Sequence, residues 1–231
     1  QMREFEILIG LENSDRLGGM DPLDAFRKMS ENGEGDAEIL AHLEEMEKLP
    51  SLRSSLMNWI ERTPIMGSIY GSEGDEESVS EYVDAHLKAH KEICDSASGT
   101  SKMMIERMKS VHEGALLFLK PEGKVSRSRA GLLFIESYRE LPLLTWPRKL
   151  IDAIVELEES MVKWRHSHAR MVERIMGRRI GTGGTSGVDY LDATSQYRVF
   201  KDLWSVRTIL VKPQSRPKLK GSDFYGYNSS N

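Results

Sequence analysis

The chain has 231 residues, 39% of them hydrophobic and 29% charged, and carries a net charge of −4. That length supplies enough interior for a real core, as one large domain or two small ones. The acidic balance, with no run of Lys and Arg alternating with aromatics, argues against nucleic acid as a partner. No apolar run approaches the ~20 residues of a membrane span, so no membrane partner is expected, and no basic-then-apolar leader opens the chain. Cys94 is the single cysteine, which rules out an intrachain disulfide and a Cys-based zinc cluster and fits a reducing cytoplasm. Gln1 begins inside a patterned segment, which predicts further residues upstream of it.

Taken in order, Phe5, Ile7, Leu8, Ile9 and Leu11 form an apolar cluster that reads as the end of a helix stopped by glycine. Asp21-Pro22 opens another, with Asp at the cap and Pro at the first helical position. Leu23, Phe26 and Met29 supply its apolar face. Residues 37–46 are helical and acidic, and Ser51 caps a helix carrying Leu52, Leu56, Trp59 and Ile60 that Thr63-Pro64 stops. Gly67 to Glu77 reads as a solvated acidic loop. From Tyr82 to Met108 the pattern is helical, with residues 96–100 as an interruption, and Val111 to Leu119 is a further helix. His86 and His90 stand four apart, the spacing of a helical metal pair, but their neighbours Lys88, Lys91 and Glu92 put them on an exposed face. Ser126 to Glu140 is a helix, and Pro142 and Pro147 bracket a short linker. After residue 187 come Tyr190-Leu191-Asp192-Ala193-Thr194, a helix-like stretch at 197–210 and a basic tail, 212–231, expected to be poorly ordered at its end. Alternating strand patterns are rare, so the fold class is all-α and the chain is read as a single domain over 1–231.

The most patterned stretch is Arg148 to Gly187. Leu150, Ile154, Leu157, Met161, Trp164, His168, Met171 and Ile175 recur at helical spacing, with Asp152, Glu159, Lys163, His166, Arg170 and Glu173 opposite. His168 thus occupies a place in the apolar row where Leu would be ordinary. Burying an unsatisfied imidazole costs roughly 1–3 kcal/mol, so it needs a partner. A backbone carbonyl would serve, and so would a metal or haem iron. Periodicity leaves both open.

Gly181-Thr182-Gly183-Gly184-Thr185-Ser186-Gly187 lacks the Lys-Ser or Lys-Thr close of a phosphate loop. It follows a helix where a dinucleotide fingerprint needs a strand. Its composition suits a flexible linker and equally a loop that brings backbone N–H groups and hydroxyls close to a ligand.

Several segments together resemble the tryptophan 2,3-dioxygenase family. Trp164-Arg165-x-x-His168-x-x-Met171-Val172, followed by the glycine loop and Tyr190-Leu191-x-x-Thr194, is similar to that family's haem-ligand and substrate-loop region. Trp59-Ile60-Glu61-Arg62-Thr63-Pro64 resembles its Trp-Leu-Glu-Arg-Thr-Pro, and Tyr138-Arg139-Glu140 its Tyr-Arg-Glu. Gln1-Met2-Arg3-Glu4 resembles its Gln-aromatic-Arg segment. The resemblance implies a helical haem-binding domain of the tryptophan/indoleamine dioxygenase type, cytoplasmic and homotetrameric, holding haem b. It implies His168 as the axial ligand to iron and Gly183 against the cofactor. Arg3 would pair with the carboxylate of L-tryptophan, and Thr182 would lie beside its amino-acid end. O2 is the second substrate, and the implied product is N-formylkynurenine.

Three departures stand out. The family's distal histidine comes from a helix that would lie N-terminal to Gln1. Met2 stands where the family usually has an aromatic residue. Asp189 and Asp192 replace neutral or basic residues near the substrate loop. These keep two other readings open. One is a haem monooxygenase relative acting on a modified tryptophan to give a 2-oxindole or hydroxylated product. The other is a non-catalytic haem-binding homologue.

Overall fold

The computed structural model describes residues 2–11, 23, 27, 31, 33, 36–99, 101–177, 187–194 and 197–226, without the side chains of residues 2, 3, 190 and 194. Among these the architecture is helical throughout, and an isolated bridge between Ile65 and Ser68 stands in place of any strand. The helices are α1 (Met2–Ile9), α2 (Ala37–Glu47), α3 (Leu52–Glu61), α4 (Asp75–Ala97) and α5 (Lys102–Leu119). They continue with α6 (Arg127–Ser137), α7 (Thr145–Met176), α8 (Val188–Thr194) and α9 (Lys201–Thr208). They group into two compact units, Gln1–Leu56 with Ile154–Phe200, and Met57–Ala153 with Lys201–Asn231.

In the first unit α1 packs on α2. Gly10 stops α1: its N–H donates to Ile7 O and the N–H of Leu11 to Glu6 O, both at 3.0 Å. That paired closure requires the left-handed φ of 88° found at Gly10. A Cβ there would meet Ser51 Oγ at 2.5 Å, so glycine is also needed for the close approach. Asp36 caps α2 by accepting from the N–H groups of Glu38 and Ile39 at 2.9 and 3.3 Å. The helix expected after Asp21-Pro22 lies almost wholly outside the described residues, although Leu23 is fully buried.

The second unit is built round an aromatic core. Tyr82 meets Phe134 edge-on at 5.5 Å, and Phe134 lies 4.7 Å from Tyr138 and 5.3 Å from Tyr225 between ring centroids. All four side chains are buried. Gly131 lets α6 cross the end of α3 closely, since a Cβ there would sit 2.5 Å from Ile60 O.

In the basic tail the Tyr225 hydroxyl donates to Pro64 O at 3.1 Å and accepts from the Gly67 N–H at 2.8 Å, and the tail's end, expected to be poorly ordered, lies outside the described residues. Four expectations fail here for physical reasons. The acidic stretch 67–77 is not wholly solvated. Asp75 is buried at the start of α4, accepting from Ser68 Oγ and the Gly71 N–H and pairing with Arg127. The long helix α7 begins at Thr145, so Pro147 sits in its first turn, where a missing N–H costs nothing. Last, α5 runs unbroken from Lys102, and residues 197–200 lie outside any helix ahead of α9.

His86 and His90 are not exposed. With Val79, Tyr82, Val83 and Cys94 they form the buried row of α4, and the lysines that flank them in sequence face the other way. His86 Nε2 donates to Ile209 O at 2.9 Å, and the Nδ1 atoms of His90 and His112 face each other at 3.2 Å. Burial, opposed by the Ile209 hydrogen bond, pushes the His86 pKa down to about 4.

Candidate functional site

The helix α7 carries two different faces beyond Met161. Ile151, Ile154, Glu158, Met161, Arg165 and Ala169 form the buried row. At ~100° per residue this row lies roughly 100° round the helix from Trp164, His168, Met171 and Ile175. The apolar row read from the sequence is therefore the exposed one in its second half: Trp164 is 44%, Met171 53% and Ile175 74% exposed. Half-buried His168 sits in the middle of it.

The buried row is held by charge. Glu158 accepts from the N–H groups of both Val199 and Phe200 and lies 3.8 Å from Arg198. The Arg165 guanidinium donates to Tyr197 O at 3.1 Å and lies 3.7 Å from Glu6 on α1. Outside this row, at the surface, Arg170 pairs with both Glu173 and Asp192, which ties α8 to α7. Asp192, singled out as an unusual charge near the substrate loop, therefore has its carboxylate engaged by Arg170.

Two polar ends of α7 residues are thus spent inside the unit while three large apolar side chains stay in solvent. His168 stacks on Trp164, with ring centroids 5.0 Å apart and planes at 24°. Among the described residues no hydrogen bond or ion pair engages either nitrogen of its ring. No group of three or more His, Cys, Asp and Glu among the described residues is arranged to hold a metal ion. A lone imidazole in an apolar strip instead fits a metal that arrives with most of its own ligands on a flat apolar body. Haem meets that description.

Arg3 lies within α1, the same helix whose Glu6 contacts Arg165; its side chain is outside the described atoms. Thr182 and Gly183 lie outside the described residues, as does most of the glycine loop. The described flanks of that loop are Gly177, which follows α7 directly, and Gly187, which precedes α8. Sequence reading missed Glu158 and Arg165. Their seven-residue separation on the line of Ile154, Met161 and Ala169 was the available signal, but a charge in a helical row normally marks the solvated side. A cleft of about 990 Å³ in the second unit, lined by Tyr70, Asp75, Lys124 and Arg127 among others, contains none of the predicted site residues.

A family model described as tryptophan 2,3-dioxygenase matches residues 1–210. A tryptophan 2,3-dioxygenase-like protein of Xanthomonas campestris pv. campestris is 38% identical over 98% of this chain and 90% of its own length. Tryptophan 2,3-dioxygenase 2 of Ralstonia nicotianae is 37% identical over 98% of this chain and 66% of its own length. A tryptophan 2,3-dioxygenase of Sorangium cellulosum is 36% identical over 98% of this chain, which spans 59% of that enzyme. The chain belongs to the tryptophan 2,3-dioxygenase family, and through it to the haem-dependent oxygenases.

Proposed function

We propose that this protein binds haem b through His168 and oxygenates the indole ring of L-tryptophan, both atoms of O2 entering across C2–C3 to give N-formylkynurenine. The observation that carries the reading is the exposed apolar strip of α7, with an imidazole at its centre that stacks on Trp164 and whose ring nitrogens no described residue engages. Covering that strip with a flat apolar group removes Trp164, Met171 and Ile175 from water, at roughly 25 cal/mol per Å² of apolar surface.

The residues divide the work. His168 ligates the iron, and the Trp164 ring stacked on it restricts its rotation. Arg3 binds the substrate carboxylate, a charge-assisted contact of roughly 1.5–3 kcal/mol. Thr182 holds the amino-acid end, while Gly183 allows the loop backbone close to the cofactor. Haem, when bound, supplies the iron chemistry that activates O2. Fixing the carboxylate at one end orients the indole at the other.

The assembly carried into this proposal is the homotetramer and cytoplasmic setting that kinship implies; no described helix is long and apolar enough to cross a membrane. Mass spectrometry of the product formed from L-tryptophan and labelled O2 tests the reaction. Two labelled atoms in an opened ring are expected. One atom in an intact indole would mean monooxygenation, and no product would leave a haem-binding protein without turnover.

A further inference from the structure

We propose that Arg165 is a positioning residue that sets the carboxylate-clamp helix α1 against the haem-ligand helix α7. The inference rests on the functional reading above and assigns a role to residues which that reading leaves unused.

Arg165 is only 6% exposed and lies one turn before His168. Its partner Glu6 is 17% exposed and lies one turn after Arg3. The 3.7 Å pair therefore joins the neighbours of the two residues on which cofactor and substrate depend. The same guanidinium donates to Tyr197 O at 3.1 Å. Two turns back, Glu158 accepts the N–H groups of Val199 and Phe200, so residues 197–200 are held at both ends against α7.

A buried ion pair is a poor way to add stability, because desolvation offsets most of the attraction and an apolar residue would fill the space. It is a good way to fix one register between two helices, since only one arrangement keeps the charges paired. Arg suits the place: its planar fork reaches the Glu6 carboxylate and the Tyr197 carbonyl together, whereas an ammonium offers a single point charge. The eight-residue α1 is short enough to shift when the pair is lost, while the 32-residue α7 keeps His168 where it is. Arg3 then moves relative to the cofactor, and a displacement of roughly 1 Å at a positioning group costs on the order of 100-fold.

The test compares the full chain with Arg165→Lys, Glu6→Gln and the double variant. Haem content, half-saturation by L-tryptophan, kcat and amide exchange over residues 4–9 of the haem-free protein are measured for each. The wild type should take up haem and respond to L-tryptophan. Both single variants should keep their haem, with half-saturation raised about tenfold or more, kcat changed less and α1 amides exchanging faster. The double variant should be no worse than the weaker single. Should Arg165→Lys fail to fold, Glu6→Gln, at the more exposed partner, carries the comparison. A responsive wild type matched by variants with unchanged half-saturation and exchange, or effects that simply add in the double, overturns the coupling alone. A wild type that takes no haem, or takes it without responding to L-tryptophan, overturns the functional reading and this inference with it.

Discussion

The second unit and the first spend their apolar residues in opposite ways. In the second, Tyr82, Phe134, Tyr138 and Tyr225 close on one another, and even its histidines His86 and His90 are buried with partners. In the first, α7 buries Glu158 and Arg165 while Trp164, Met171 and Ile175 face solvent. One unit is a finished core. The other leaves an apolar strip with an imidazole in it open to solvent, and under the proposed function haem covers that strip.

The contrast can be broken most forcefully at Phe134. Phe134→Ala removes a ring from the closed core and should cost about 3–5 kcal/mol, read as a lower denaturation midpoint. A loss below about 1 kcal/mol would mean the second unit is not the self-sufficient one. The next effect is pH dependence. The folded protein keeps His86 neutral down to about pH 4, whereas the unfolded chain protonates it near pH ~6.5. Between those values the unfolded state binds the extra proton. Stability is therefore complete above about pH 6.5 and declines as pH falls toward 4, by on the order of 3 kcal/mol. His86→Gln, able to donate to Ile209 O without titrating, should flatten that slope in urea midpoints; an unchanged slope would remove His86 as its source.

Smaller effects belong to the first unit. Asp192→Asn breaks an exposed pair with Arg170 and should cost at most about 1 kcal/mol, less in high salt. Trp164→Gln, on the open strip, should alter the stability of the haem-free protein by no more than about 0.5 kcal/mol while weakening its hold on haem. A large loss without haem would show that the strip already packs on the protein itself.

The sequence made the helices legible because each has its own period and its own stop. Ser51 and Pro64 mark ends that the structure keeps. His168 was visible as a misfit in an apolar row, and the surrounding motifs resembled a family to which the chain does belong. Orientation was the part that could not be read. Two rows on α7 both have helical spacing, and the one richer in hydrophobic residues is the more exposed, because Glu158 and Arg165 find tertiary partners far along the chain. His86 and His90 were misplaced by the reverse error: charged neighbours suggested solvent, although those neighbours lie on another face of α4. The anchoring of Tyr225 was hidden for a related reason, since it is held by Pro64 and Gly67, which no local pattern connects to it.

The most direct test of the account is a haem titration of the wild type and His168→Ala, followed in the Soret region. The wild type should take up one haem per chain and give a spectrum of an imidazole-ligated iron, and the variant should lose most of that uptake. Equal uptake with an unchanged spectrum would show that His168 is not the ligand and that the open strip of α7 serves some other group.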